Sequence, residues 1–126
     1  MNETIHLYKE LIVWQKSIEL VTNIYELTEK FPREEIFGLT SQIQRAAVSI
    51  PSNIAEGRCR GTRADYIHFL RMSYGSGAEL KTQITISKKL SKTKALNYNK
   101  IDSSLSEVMK MLNVMISKLQ AKKLTS

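Results

Sequence analysis

Residues 37–60 read FGLTSQIQRAAVSIPSNIAEGRCR, and two interleaved patterns in this stretch decide the fold. Leu39, Ile43, Ala46, Ala47, Ile50 and Ile54 recur at the spacing of a helix that buries one side. Gln42, Arg45, Ser49, Asn53 and Glu56 advance by four, four, four and three residues, so they form a second face of the same helix. A face meant only for water more usually alternates Lys and Glu. Small and amide-bearing side chains around one Arg indicate a face that touches something.

The helical period continues on both sides, and strand alternation is almost absent. Upstream, Leu11, Trp14, Ile18, Val21, Ile24, Tyr25 and Leu27 predict a helix over residues 9–30. Phe31-Pro32 ends it, because the residue before a proline is pushed out of the helical region. The quoted stretch predicts a second helix over 34–56, with Gly38 a weak point and Gly57 its stop. Thr62 with Asp65 three residues on fits a hydroxyl cap, starting a third helix over 62–91 through Tyr66, Phe69, Leu70, Tyr74, Leu80, Ile84 and Leu90. Ile101, Leu105, Val108, Leu112, Met115, Ile116 and Leu119 predict a fourth over 98–122. Long amphipathic helices with short links pack as antiparallel neighbours. The expected architecture is a single all-α domain over residues 1–126, an up-down-up-down four-helix bundle.

Two irregularities fall in the central helices. Pro51 lies inside the second, where it costs on the order of 3 kcal/mol in an isolated helix. A kink is expected there, with the Ser49 or Ser52 hydroxyl or water on the freed carbonyl. Ser73, Gly75, Ser76 and Gly77 cluster in the third helix, where each glycine costs about 1 kcal/mol relative to Ala. Close approach of another backbone would account for them.

The chain has 126 residues and a net charge of +7, unevenly spread. Residues 1–56 carry five Lys/Arg against eight Asp/Glu, a net −3, whereas residues 57–126 carry fourteen against four, a net +10. With a pI of about 9.6, the basic half has the footprint of a polyanion binder. No stretch resembles a signal peptide, and no apolar run approaches the roughly 20 residues of a membrane span. Cys59 is the one cysteine, so no internal disulfide can form and a reducing cytoplasm fits.

Further residues add a resemblance. Trp14-Gln15-Lys16, Phe31-Pro32 with Glu35, GLTSQIQRAAVSIPSNIAEG over 38–57, Arg60, and Gly75-Ser76 followed by Glu79-Leu80 resemble the 23S rRNA intervening-sequence proteins. The likeness spans residues 11–87. It implies an antiparallel four-helix bundle that assembles as a homo-oligomeric ring, typically a pentamer, with RNA binding the usual supposition. The family is distantly similar to the accessory proteins of diversity-generating retroelements, basic rings that bind nucleic acid and a reverse transcriptase. This chain departs from the pattern at Ser73, where Ala is usual, and at residues 88–94, where Lys-rich sequence replaces a Gly-Tyr turn.

Catalytic chemistry finds little support. Glu3-Thr4-Ile5-His6 and Asp65-Tyr66-Ile67-His68 have the spacing of paired metal ligands in bundles, but the first precedes the helical core. No nucleophile elbow and no phosphate-cradling Gly-rich loop occurs. The expected protein is therefore not an enzyme and carries no metal or cofactor. Arg58, Arg60 and Arg63 surround a helix start, where free N–H groups and the dipole already favour an anion. The planar guanidinium suits phosphate, so these three lead the nucleic-acid-binding candidates. Lys88, Lys89, Lys92 and Lys94 form a second basic cluster, and Lys118, Lys122 and Lys123 a third. No aromatic platform is interleaved with them, so RNA or DNA would be held by backbone charge and shape. The row Gln42, Arg45, Ser49, Asn53 and Glu56 is the candidate oligomer interface. A buried Arg45 would need Glu79 or the Glu56 of a second copy. The alternative partner is a protein, with the bundle acting as a scaffold that docks a nucleic-acid-processing enzyme.

Overall fold

The computed structural model describes residues 7–125 as four α-helices with no strand among them. They are α1 (Ile12–Thr28), α2 (Ser41–Arg60), α3 (Arg63–Ser87) and α4 (Asn99–Thr125). A 3₁₀ turn, Leu7–Glu10, precedes α1; another, Arg33–Glu35, and a π-helical turn, Ile36–Thr40, lead into α2. Both α1 and α3 pack against α2 and α4, so α1 and α3 sit on a diagonal of the bundle, and the α2–α3 seam is the most extensive contact.

The core is drawn from all four helices: Leu20 and Ile24, then Ile43, Ile50 and Ile54, then Leu70, Leu80 and Ile84, then Val108 and Leu112. Burying each such side chain contributes about 1.5–3 kcal/mol. On α1 the inward register differs from the sequence reading. Val13, Ser17, Leu20, Ile24 and Leu27 are buried, whereas Ile18 and Tyr25 are exposed. Ser17 can occupy a core position because its hydroxyl donates to its own helix, at the Trp14 carbonyl (2.7 Å).

The α2–α3 seam is polar at its centre. The Ser73 hydroxyl donates to the Ile50 carbonyl at 2.8 Å. The hydroxyls of Ser49 and Ser76 lie 2.8 Å apart, and Asn53 Nδ2 donates to both the carbonyl and the hydroxyl of Ser49 at 2.9 Å. Helix α2 runs on through the buried Pro51. Ser73 of α3 thus bonds the carbonyl just before that proline, whereas the carbonyl that the proline frees is that of Ala47, four residues back.

Helix α2 also extends past its expected stop. Gly57 is buried within it, and a Cβ added there would lie 2.7 Å from the Phe69 Cβ and 3.4 Å from the Tyr66 carbonyl oxygen. Its lack of a side chain permits close approach of α3. The reversal falls at Gly61, with a φ of 91° in the left-handed region that glycine adopts without strain. Thr62 then caps α3 as expected, its hydroxyl accepting from the Asp65 N–H at 3.1 Å. The far end of α3 comes earlier than expected, at Ser87, and Leu90 is exposed. There the Thr93 hydroxyl donates to the Ser87 carbonyl (2.6 Å) and the Tyr98 hydroxyl to the Thr93 carbonyl (2.9 Å). These bonds satisfy a helix-end carbonyl without another turn.

Two glycines, one in the α2–α3 seam and one on the exposed side of α3, predict opposite outcomes. Gly57→Ala overpacks the seam and should lower stability by about 1–3 kcal/mol in urea titration. Gly75→Ala, where an added Cβ meets nothing within 4 Å, should raise it by up to about 1 kcal/mol.

Candidate nucleic-acid interface

The corner between α2 and α3 gathers cations from three helices. Arg58 from the last turn of α2, Arg63 at the start of α3 and Lys122 from α4 line one hollow with Gly61, Thr62, Tyr66 and Leu119. The first-turn N–H groups of α3 and the positive end of its dipole lie at the same corner. The hollow encloses about 270 Å³. Small-molecule sites typically span ~300–1,000 Å³, so this one fits a single anionic group better than a whole metabolite.

Arg58 is held in place by an aromatic ring. Its guanidinium lies over the Tyr66 ring at 5.8 Å, and its Nε is buried with no hydrogen-bond acceptor in the protein. A buried donor without an acceptor is destabilising, which makes Arg58 a ready donor to an incoming anion. Burial pushes the Tyr66 phenol above its ordinary value of 10.0, and the charge of Arg58 partly opposes that rise. Because the folded-state value is the higher one, the associated stability is present below a pH of about 10. It is lost as the pH climbs through the folded-state value.

Arg60 is turned elsewhere. It pairs with Glu56 one turn back at 2.9 Å and stacks over Phe69 at 5.0 Å. Two residues expected on different surfaces thus bind each other, in an exposed pair of the kind worth at most about 1 kcal/mol. The second cluster is also partly engaged with acids. Lys88 meets Asp102 at 2.6 Å and lies 5.7 Å from the Tyr98 ring centre, and Lys92 pairs with Glu34. That second pair lowers the Glu34 pKa and raises that of Lys92, in each case mainly through their mutual hydrogen bond. Lys89, Lys94 and Lys118 are exposed. The side chain of Lys123 lies outside the described residues, as do Glu3 and His6. His68 is exposed, its ring edge-on to Phe69 at 5.2 Å, and no three His, Cys, Asp or Glu side chains gather among the described residues.

The row on α2 divides in two. Ser49 and Asn53 join the internal seam described above. Gln42 and Arg45 are exposed, with Arg45 Nη2 donating to the Ser41 hydroxyl at 3.4 Å, and Glu79 is exposed on α3. Sequence reasoning missed Lys81 and Lys110. They line a groove of about 410 Å³ between α3 and α4, with Lys88, Asp102 and Tyr74. The seven-residue step from Lys81 to Lys88, two turns on one face, was the available signal. Tyr74, expected in the core, is 38% exposed at the edge of that groove.

Coupling between Arg58 and Tyr66 is directly measurable. Arg58→Gln keeps most of the side-chain bulk and removes the charge, so the Tyr66 phenol should titrate at higher pH. Ultraviolet tyrosinate absorbance of the variant, set against the same variant carrying Tyr66→Phe, isolates that one group. An unmoved midpoint would show that the guanidinium does not face the ring in solution.

No curated protein matches the sequence closely enough to serve as a relative. The family model of the 23S rRNA-intervening sequence protein matches residues 9–114, from the turn before α1 into α4. On that match, the four-helix chain described above belongs to the 23S rRNA-intervening sequence protein family.

Proposed function

We propose that this protein is a non-catalytic, cytoplasmic RNA-binding bundle of up-down-up-down topology whose copies close into a homo-oligomeric ring. Five subunits is the number that the family resemblance implies. The observation that carries the reading is the meeting of Arg58, Arg63 and Lys122 in one hollow at the start of α3, with Arg58 Nε lacking an acceptor. This corner suits a backbone phosphate: two forked guanidinium groups, an ammonium and a helix start at one point. Its aromatic lining residue, Tyr66, has the Arg58 guanidinium over its ring and makes no platform for successive bases, so structured RNA would be held through phosphates, with little sequence reading. Repetition around a ring multiplies weak contacts into avidity. The exposed remainder of the α2 row, Gln42 and Arg45, belongs in this reading to a contact between copies.

A second reading has one specific observation in its favour. Phe37 is 98% exposed and stands beside the exposed Ile36, on the π-helical turn where Gly38 leaves helical geometry. An aromatic ring so displayed suits a scaffold that docks a partner enzyme.

The two readings separate in a binding assay with a fluorescent RNA stem-loop. Affinity should fall steeply with salt, and each lost phosphate contact should flatten the log–log slope by roughly 0.7–0.9. Arg58→Gln, Arg63→Gln and Lys122→Gln together should therefore remove about two to three units of slope per bound subunit. Affinity independent of salt, or absent at low salt, overturns the RNA reading. Capture of a protein that survives nuclease treatment and is lost on Phe37→Ala would establish the scaffold instead.

A further inference from the structure

The acidic and basic halves of the sequence become two separate faces of the folded bundle. The outward side of α1 carries Glu19 and Glu26, and its C-cap is Glu29, all exposed, with Ile18 and Tyr25 beside them at 38% and 44% exposure. None of the ion pairs among the described residues uses these three carboxylates. Away from α1, the α3–α4 groove and the hollow that adjoins it along α3, which share Tyr74, Lys81 and Met109, are edged by Lys81, Lys110 and Lys89, also outside those ion pairs. Tyr74 and Ile86, 38% and 44% exposed, line them as well. The α1 face is thus predominantly acidic, with Lys30 at its far end and Arg45 of α2 beside Tyr25, and the groove is predominantly basic, each around exposed apolar side chains.

The dimensions agree. Glu19 to Glu29 spans about 15 Å of helix, and Lys81 to Lys89 about 12 Å, at 1.5 Å per residue. Two charges nearby are already neutralised: Lys16 pairs with Glu107 across α1 and α4 at 3.3 Å, and Asp102 is held by Lys88.

We propose that the α3–α4 groove receives the α1 face of a second copy of this chain, carboxylates against lysines and Ile18 and Tyr25 against the apolar floor. The occupant is a second copy because the complementary face is present on the chain itself, matched in sign, length and apolar content. The contact joins unlike surfaces, so it is heterologous and propagates from copy to copy. The two faces are not back to back: the groove lies between α3 and α4, and α4 adjoins α1. Successive copies therefore turn in one direction, as closure requires. The inference rests on the ring reading above and assigns its faces. It also removes the groove lysines from the set that contacts RNA and leaves the α2–α3 corner for phosphate.

Charge reversal tests it by light scattering on the purified full chain, with circular dichroism as the check on folding. Glu19→Lys with Glu26→Lys should release monomers, and so should Lys81→Glu with Lys110→Glu. One chain carrying all four changes should reassemble, because the signs are exchanged and complementarity is kept. The milder Glu26→Gln and Lys81→Gln, which leave folding least disturbed, should each raise the dissociation constant by about tenfold. Assembly indifferent to every one of these changes overturns the face assignment and leaves the ring intact. A parent chain that is monomeric at every concentration overturns both. Loss of stem-loop RNA binding in Lys81→Glu with Lys110→Glu, at unchanged assembly mass, assigns the groove to RNA and ends the proposal.

Discussion

The close approach of α2 and α3 is the constraint on which the rest of the molecule depends. Gly57 admits the Phe69 side chain and the Tyr66 backbone to a distance no larger residue would allow. Once the helices are that near, Ser73 reaches the Ile50 carbonyl and Ser49 reaches Ser76. Those bonds make a polar seam affordable inside an apolar core, since a buried hydroxyl without a partner would cost about 1–3 kcal/mol. The same proximity places Arg58 over Tyr66 and sets the corner where cations from three helices converge.

Much of the architecture was legible because long helices advertise themselves through period. Every helix core was located, and the Thr62 cap was visible from hydroxyl and carboxylate spacing alone. The errors cluster where a local rule met a tertiary contact. Gly57 carries the signature of a helix stop, yet its role is spatial, and the turn falls four residues later at Gly61. Leu90 has the right period for α3, but Thr93 and Tyr98 cap the helix before it. On α1, Ile18 was expected to face the core, but it is exposed and Ser17 is buried. A serine that bonds its own helix reverses that judgement, and single-residue polarity does not disclose it.

The candidate site was only half legible. Arg58 and Arg63 flank a helix start in sequence, so their nearness needed no fold. That Lys122, nearly sixty residues on, lines the same hollow follows from how α4 packs. Conversely, Arg60 and Glu56 are one turn apart on one helix and could have been paired from spacing. Lysines of the 88–94 segment read as a uniform positive run, but Asp102 and Glu34 approach them from other elements. A one-dimensional count of charge therefore overstates the positive field at that end and understates it along the α3–α4 groove.

The constraint on Arg58 has a consequence for selectivity. An arginine side chain carries about 2 kcal/mol of rotamer entropy. Stacked on Tyr66 and confined beside Gly57, this one gave up much of that freedom when the chain folded. An arriving anion thus meets a preorganised fork and need not order a wandering one. Such a pocket adapts poorly. It should favour oxyanions of one shape over others of equal charge, a discrimination that mobile surface lysines do not offer.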